Sequence, residues 1–588
     1  MYAVKKYVSL PVCIFFLLSC LSNDQRVNAQ GFLKTNGKII VNGKGEKFIL
    51  RGMGIGGWML QEGYMFKLSN LGQQYHIKEK IQDVVGQEKT KQFYDQWLLN
   101  HTTKTDVDSL AAWGFNSIRL PMHYNLYTLP VEEEPVAGQN TWLEKGFIMT
   151  DNLLKWCKQN KIYLILDLHA TPGGQGNDLP ISDRDPAKPS LWQSEANKNK
   201  MIGLWKKLAA RYANEEYIGG YDIINEPNWG FEDPKDTRGT AEKTNAPLQQ
   251  LMMDITKAIR EVDQHHIIII EGNGFGNNYS GIDPTWDNNL VMSFHKYGNF
   301  NTTGSISRFL DLREKYNIPL WMGESGENSN TWFTEAIGLA EKNDIGWAWW
   351  QSKKMNINNP LEIKQPKDYQ KLLDYFSGKG PKPTEDEAWK ILQELLANIS
   401  IKNNIYHKDV TDAMFRQVHT TGTKPFKTLV IKQAATIDAV DFDMGSQRVA
   451  YYDKDTARYQ YTPGVNTVGN RGGQYRNDGV DIQKDTDGYY VFNIEDGEWL
   501  QYSVNVAETG MYKISFTVKP NKTGGQIALL NNTVPVLSLS IPFTNEMQNW
   551  QTVTYDKSIS FKKGMNTYRI LFDTAGFDLR NIIFEKQN

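Results

Sequence analysis

The chain has 588 residues, too many for a single hydrophobic core and suited to two domains or more. Hydrophobic residues make up 40% and charged residues 22%, an ordinary globular balance, and a net charge of −2 supplies no basic excess to hold a nucleic-acid backbone. The unusual figure is aromatic content, 12% with 17 Trp and 28 Tyr, which suits either large cores or flat surfaces that stack on sugar rings.

Lys5 and Lys6 precede an apolar run from Val8 to Leu18, too short to span a bilayer and flanked like a signal peptide. Two exits are open. Val27-Asn28-Ala29 resembles a cleavage site, which places residues 1–29 in a leader and gives a free secreted protein. Leu17-Leu18-Ser19-Cys20 resembles a bacterial lipoprotein box, which gives a lipid-anchored protein at the cell surface or in the periplasm. No later stretch is long and apolar enough for a transmembrane helix. Cys13 and Cys20 lie in the leader, so Cys157 is alone in the body, where its helical surroundings predict a packed core thiol.

From residue 31 to 419, short apolar runs alternate with helical patterns. Strands are predicted at Phe48–Arg51, Ser117–Leu120, Tyr163–Asp167, Tyr221–Ile224, Ile267–Ile270, Leu290–Phe294, Leu320–Gly323 and Gly346–Trp350. Helices are predicted at Glu195–Tyr212, Leu248–Val262, Trp332–Lys342 and Glu385–Ala397. The strand runs are apolar on both faces, as buried parallel strands are, and eight such units predict an α/β (β/α)8 TIM barrel. An open doubly wound sheet lacks support, because no glycine-rich phosphate loop follows the first strand. Residues 420–427 read as a linker. Residues 428–588 show short alternating strands such as Tyr489–Ile494, Trp499–Val504 and Tyr512–Val518, which predict an all-β sandwich of jelly-roll-like form, with Trp499 in its core.

A barrel of this type carries its active site at the carboxyl ends of the strands. There the chain places Arg119, Asp167-Leu168-His169, Asn225-Glu226-Pro227, His295-Lys296-Tyr297, Glu324 and Trp350. Glu226 and Glu324 each follow a buried strand and face each other across the mouth. Such a pair can divide acid/base and nucleophilic work in glycoside hydrolysis. A metal site built from His169, His295 and the glutamates is the rival, but the chain has no His-x-x-x-His or other compact ligand spacing, so no metal is expected.

From about Phe32 to Ala397 these motifs together resemble glycoside hydrolase family 5, a retaining cellulase-like family with a (β/α)8 fold. Its marks are Ser117-Ile118-Arg119-Leu120-Pro121, Asp167-Leu168-His169, Ile224-Asn225-Glu226-Pro227, His295-Lys296-Tyr297, Met322-Gly323-Glu324 and Trp347-Ala348-Trp349-Trp350. The resemblance implies Glu226 as acid/base and Glu324 as nucleophile, with no catalytic cofactor. It implies that Asn225 holds the sugar 2-hydroxyl and that Arg119 and Tyr297 hold Glu324 ionised. His169 and His295 would line the reacting subsite, and Trp350 would form its aromatic floor. Trp349, by alternation, is expected in the core. The segment Asp167 to Gln175 looks like the branch that contains exo-acting β-1,3-glucanases, and the long polar loop from Gly176 to Leu191 could wall one end of the groove.

From about Thr428 to Glu585 the chain resembles carbohydrate-binding module family 6. The matching runs are Ile437–Phe442, Tyr475–Ile482, Gly497–Tyr502, Asn549-Trp550-Gln551 and Phe577-Asp578-Leu579. The resemblance implies an aromatic pair, Tyr475 and Trp550, that clamps a sugar, with Asp578 reaching it where Asn is usual. It also implies a structural calcium near the first strand, although Val440 stands where an acidic ligand is expected and only Asp438 is kept.

The expected function is a secreted hydrolase of a β-linked polysaccharide, most simply a β-glucan, with β-1,3 or mixed linkage ahead of β-1,4. A retaining β-mannanase or xylanase is the alternative with the same chemistry. A catalytically silent surface glycan-binding protein is the alternative from another class, and the retention of both Glu226 and Glu324 argues against it.

Overall fold

A computed structural model describes residues 31–521, 523–542 and 549–587. The leader, with Cys13, Cys20 and both processing motifs, lies outside them. Eight strands close a barrel: β1 (Arg51–Gly54), β2 (Ser117–His123), β3 (Tyr163–Ala170), β4 (Ile218–Asp222), β5 (Ile268–Glu271), β6 (Leu290–Lys296), β7 (Leu320–Gly326) and β8 (Gly346–Trp350). All neighbouring pairs are parallel, and β8 pairs with β1 to close the ring. The strands are apolar on both faces because one face fills the barrel interior and the other packs under the surrounding helices.

The first strand lies three residues later than the apolar run Phe48–Arg51 suggests. Leu50 instead joins Leu33, Ile40 and Trp321 in a cluster at the amino-terminal end of the barrel. At the carboxyl end of this strand a Cβ at Gly54 would stand 2.7 Å from Trp350 Cε3, so β1 carries glycine where the indole of β8 must approach. The predicted helices are observed at Glu195–Tyr212, Ala246–Arg260, Asn330–Lys342 and Glu385–Asn398, the last started by a Thr384/Glu387 capping box. A 27-residue helix, Gln74–Asn100, kinks at Gly86 and packs with Glu385–Asn398 over the apolar underside of Trp350. Cys157 is fully buried, and burial pushes its thiol pKa up. Trp349 is also buried, against Trp332, Phe333 and Trp347.

Beyond the barrel, two mainly antiparallel sheets enclose a second core that includes Leu500, Tyr502, Ile514, Phe516, Ile570 and Phe584. Trp499 is not in it. Its neighbours Glu498 and Leu500 point inward and alternation turns its indole out, where the Arg569 guanidinium covers it at 3.9 Å. Within residues 420–427, Lys424 exchanges backbone hydrogen bonds with Met444, and the buried Phe426 ring lies 4.3 Å from the Arg476 guanidinium.

Candidate active site at the carboxyl end of the barrel

Arg119 on β2 is the hub. Its Nε donates to Asp222 Oδ2 at 2.9 Å, Nη1 to Glu324 Oε1 at 2.5 Å and Nη2 to Asn225 Oδ1 at 2.8 Å. Asp167 and Glu271 complete its surroundings at 3.2 and 3.3 Å. One fixed cation thus faces four buried carboxylates. They cannot all ionise without cost, and burial holds Asp167 and Asp222 above the ordinary carboxylate range.

Glu226 follows β4 in a left-handed conformation, φ 42°. Its backbone N–H donates to Glu271 Oε2 at 2.7 Å, and its carboxylate hydrogen-bonds His295 Nδ1 at 2.6 Å. Glu324 lies within β7 and accepts from Arg119 and from the Tyr297 hydroxyl at 3.0 Å. An oxygen of Glu226, an oxygen of Glu324 and a ring nitrogen of His295 lie within 4.8 Å of one another. Carboxyl groups of inverting glycosidases stand about 6.5–9.5 Å apart, and those of retaining ones about 5 Å.

The two glutamates are driven in opposite directions. Burial pushes Glu226 up, and the charges of Glu324 and Glu271 add to it against the pull of His295. Burial also acts to raise Glu324, but His295, Arg119 and His169 together with the Tyr297 hydroxyl outweigh it and hold the group below the usual value. One carboxyl is therefore disposed to keep its proton and the other to lose it, the division that acid and nucleophile require. His295 is itself held well above an ordinary imidazole: burial opposes its charge, but Glu271, Glu324 and Glu226 overcome burial.

The remaining expected residues converge here. His169 Nδ1 hydrogen-bonds Asp167 Oδ2 at 2.8 Å, which leaves Nε2 to meet the Asn225 amide nitrogen at 3.3 Å. The Asn225 amide is thus spanned between Arg119 and His169, and the residue has no exposed surface. The Trp350 indole donates to the Tyr64 hydroxyl at 2.8 Å and lies parallel to His169, ring centroids 5.2 Å apart.

Three participants carry no sequence signal strong enough to single them out. Glu271 ends β5 after a run of isoleucines and binds Glu226, Arg119 and His295. Glu62 is buried 3.9 Å from His169 Nε2, and burial together with Glu324, Glu327 and Glu226 raises its pKa well above the usual range. Gln175 donates to the carbonyls of His169 and Asn225, tying the ends of β3 and β4 together.

Residues 78–356 match the model of cellulase, glycosyl hydrolase family 5, and residues 474–586 match that of carbohydrate-binding module family 6. The chain is a glycoside hydrolase whose barrel matches family 5 and whose sandwich matches the family 6 module. A beta-xylosidase of Phanerodontia chrysosporium is 27% identical over 61% of this hydrolase and 78% of the relative. Endoglucanase C of Acetivibrio thermocellus is 25% identical, covering 47% and 90%. A probable glucan 1,3-beta-glucosidase A of Aspergillus fumigatus is 25% identical, covering 43% and 56%. Among solved structures, a beta-glucanase from Saccharophagus degradans aligns over 63% of the hydrolase and 95% of that chain, at 17% identity and a TM-score of 0.38.

Family 5 catalysis needs no cofactor. Glu226, His295 and Glu324 have the spacing of a metal cradle, but a divalent ion there would stand against the Arg119 guanidinium already bound to Glu324. In the module the acidic residues around Asp438 do not fit calcium. Lys427 Nζ lies 2.9 Å from Asp441, Asp438 accepts from Asn581 at 2.8 Å, and Val440 is buried.

The module does not bring Tyr475 and Trp550 together. The Tyr475 ring packs on Tyr489 and its hydroxyl donates to Asp441 at 2.5 Å. Trp550 packs on Tyr490, centroids 5.1 Å apart, beneath the Arg580 guanidinium at 3.9 Å. Tyr489 and Tyr490 are consecutive in one strand and point to opposite faces, which separates the two rings. Asp578 stands on the Trp550 side, near enough to act on Tyr490, and burial pushes its carboxyl up to about 6.

Proposed function

We propose that this hydrolase cleaves β-glucan with retention of configuration, Glu324 attacking the anomeric carbon and Glu226 protonating the departing oxygen. The observation that carries the reading is the opposed proton affinity of two carboxyls whose oxygens approach within 4.8 Å. In the first step Glu324 forms the glycosyl–enzyme bond as the glycosidic C–O bond breaks, and Glu226 passes its proton to the leaving oxygen. In the second, Glu226 takes a proton from water, which attacks the same carbon and releases Glu324. Arg119 and Tyr297 keep the nucleophile anionic before attack, and His295 holds the acid. Asn225, held between Arg119 and His169, fixes both beneath the reacting sugar, and Trp350 with His169 supplies the flat face for the sugar ring.

β-1,3 or mixed linkage stands ahead of β-1,4. Support comes from the Asp167–Gln175 segment and from similarity to relatives named glucan 1,3-beta-glucosidase and endoglucanase. Similarity to a relative named beta-xylosidase favours a β-xyloside as the second reading. Hydrolysis of laminari-, mixed-linkage, cello-, xylo- and manno-oligosaccharides separates the two. A rate on xylan or mannan oligosaccharides at least about tenfold above every β-glucan, ~1.4 kcal/mol in transition-state binding, overturns the glucan assignment and leaves the mechanism intact. The leader is read as an export signal, with cleavage after Ala29 or lipidation at Cys20. Amino-terminal sequencing with fatty-acid labelling decides between them.

A further inference from the structure

The β-sandwich grips the loop that follows the nucleophile's strand and the loop that carries its hydrogen-bond donor. After β6 the chain runs through Tyr297, whose hydroxyl donates to Glu324, into Gly298. The Gly298 carbonyl accepts the backbone N–H of Tyr461 from the sandwich at 2.9 Å. The approach is close: a Cβ at Gly298, φ 48°, would meet Gln460 Cγ at 3.0 Å and Tyr461 Cδ2 at 3.1 Å. Two residues on, the Phe300 ring lies 4.6 Å from Tyr459.

After β7 the contacts are denser. Asn328, four residues beyond Glu324, exchanges two hydrogen bonds with the Arg458 backbone: its amide donates to the carbonyl at 2.7 Å and its oxygen accepts the N–H at 3.0 Å. Ser329, the cap of the helix Asn330–Lys342, donates to the Thr456 carbonyl at 2.5 Å. Asn477 donates its side-chain amide to the Asn328 carbonyl at 2.8 Å and accepts the Asn330 N–H on its own carbonyl at 2.7 Å. Thr331 and Tyr451 share a hydroxyl–hydroxyl bond of 2.6 Å. Asn328, Asn330 and Asn477 are all buried, so these bonds lie inside the contact between barrel and sandwich.

A module that served only to tether the enzyme to polymer would need none of this. We propose that Thr456–Tyr461 and Asn477 of the sandwich are positioning residues for catalysis, acting through the loops that aim Tyr297 and Glu324. The inference rests on the assignment of Glu324 as nucleophile, and it makes the sandwich part of the catalytic unit.

The test uses the full chain and an aryl β-glycoside too small to reach the glycan-facing surface of the sandwich. Asn477→Ala should lower kcat/KM roughly tenfold, chiefly in kcat, the loss expected when a positioned group drifts. Tyr459→Ala, a change at a partly exposed ring pair, should lower it a few-fold, and Tyr459→Phe should restore it. Tyr459→Ala should also move the acidic limb of the kcat/KM profile to higher pH. Glu324 is faced by Arg119, His169, His295, Glu226 and Tyr297, and of these Tyr297 sits on the loop that the sandwich holds. Loss of its donor raises the Glu324 pKa. If Asn477→Ala fails to fold, Tyr459→Ala decides alone. An active wild type matched by the alanine variants in rate and pH profile overturns the inference. A wild type inert toward every aryl β-glycoside overturns the functional reading and this one with it.

Discussion

The backbone N–H of Glu226 donates to the Glu271 carboxylate at 2.7 Å, and the other oxygen of Glu271 stands 3.0 Å from His295 Nε2. Because His295 also bonds the Glu226 side chain, Glu271 fixes the acid/base from two directions. Glu271→Gln removes the largest of the charges that raise His295 against burial. The imidazole should then titrate at lower pH, and kcat/KM should fall about 10–100-fold, as for a lost charged hydrogen bond of ~1.5–3 kcal/mol. Histidine NMR titration and steady-state kinetics read both effects. Unchanged His295 titration would remove Glu271 from this role.

Role separation should appear in the leaving-group dependence. Glu324→Ala should abolish turnover of every substrate. Glu226→Ala should retain fast glycosylation on activated aryl glycosides, since a good leaving group needs little protonation, and should lose polymer hydrolysis. Equal losses on both substrates in the two variants would refute Glu226 as acid/base.

Tyr297→Phe deletes a donor that helps keep Glu324 ionised. A nucleophile with a raised pKa stays protonated to higher pH, so the acidic limb of kcat/KM should shift upward while the basic limb stays. A downward or absent shift in the pH profile would contradict the assigned hydrogen bond.

Of the sequence-derived site, the residues attached to strong local signals converge in the barrel mouth. Asn225-Glu226-Pro227 and Gly323-Glu324 punctuate apolar runs, so their place at strand ends could be read from pattern. Glu271 could not, because it follows an isoleucine run as any strand-terminal acid might and gains meaning only when β2, β4 and β6 bring Arg119, Glu226 and His295 to it. Nothing in the pattern of residues 456–461 says that their backbone serves a barrel helix. The resemblance pairs Tyr475 with Trp550, whereas the alternation of Tyr489 and Tyr490 sends the two rings apart.

That separation predicts independent roles in glycan binding. In full-length protein inactivated by Glu324→Ala, Trp550→Ala should weaken binding to insoluble β-glucan by the loss of one stacking ring, ~0.5–1.5 kcal/mol. Tyr475→Ala should add to that loss independently, without the coupling expected of a two-sided clamp. Depletion isotherms of the single and double variants measure it, and strong non-additivity would restore the clamp.

Proton NMR of the first product released tests the two-carboxylate mechanism most directly. Double displacement through Glu324 should give the β anomer first, with α appearing only by later mutarotation. An α anomer at the earliest time would mean that water attacks directly, and Glu324 would not be the nucleophile.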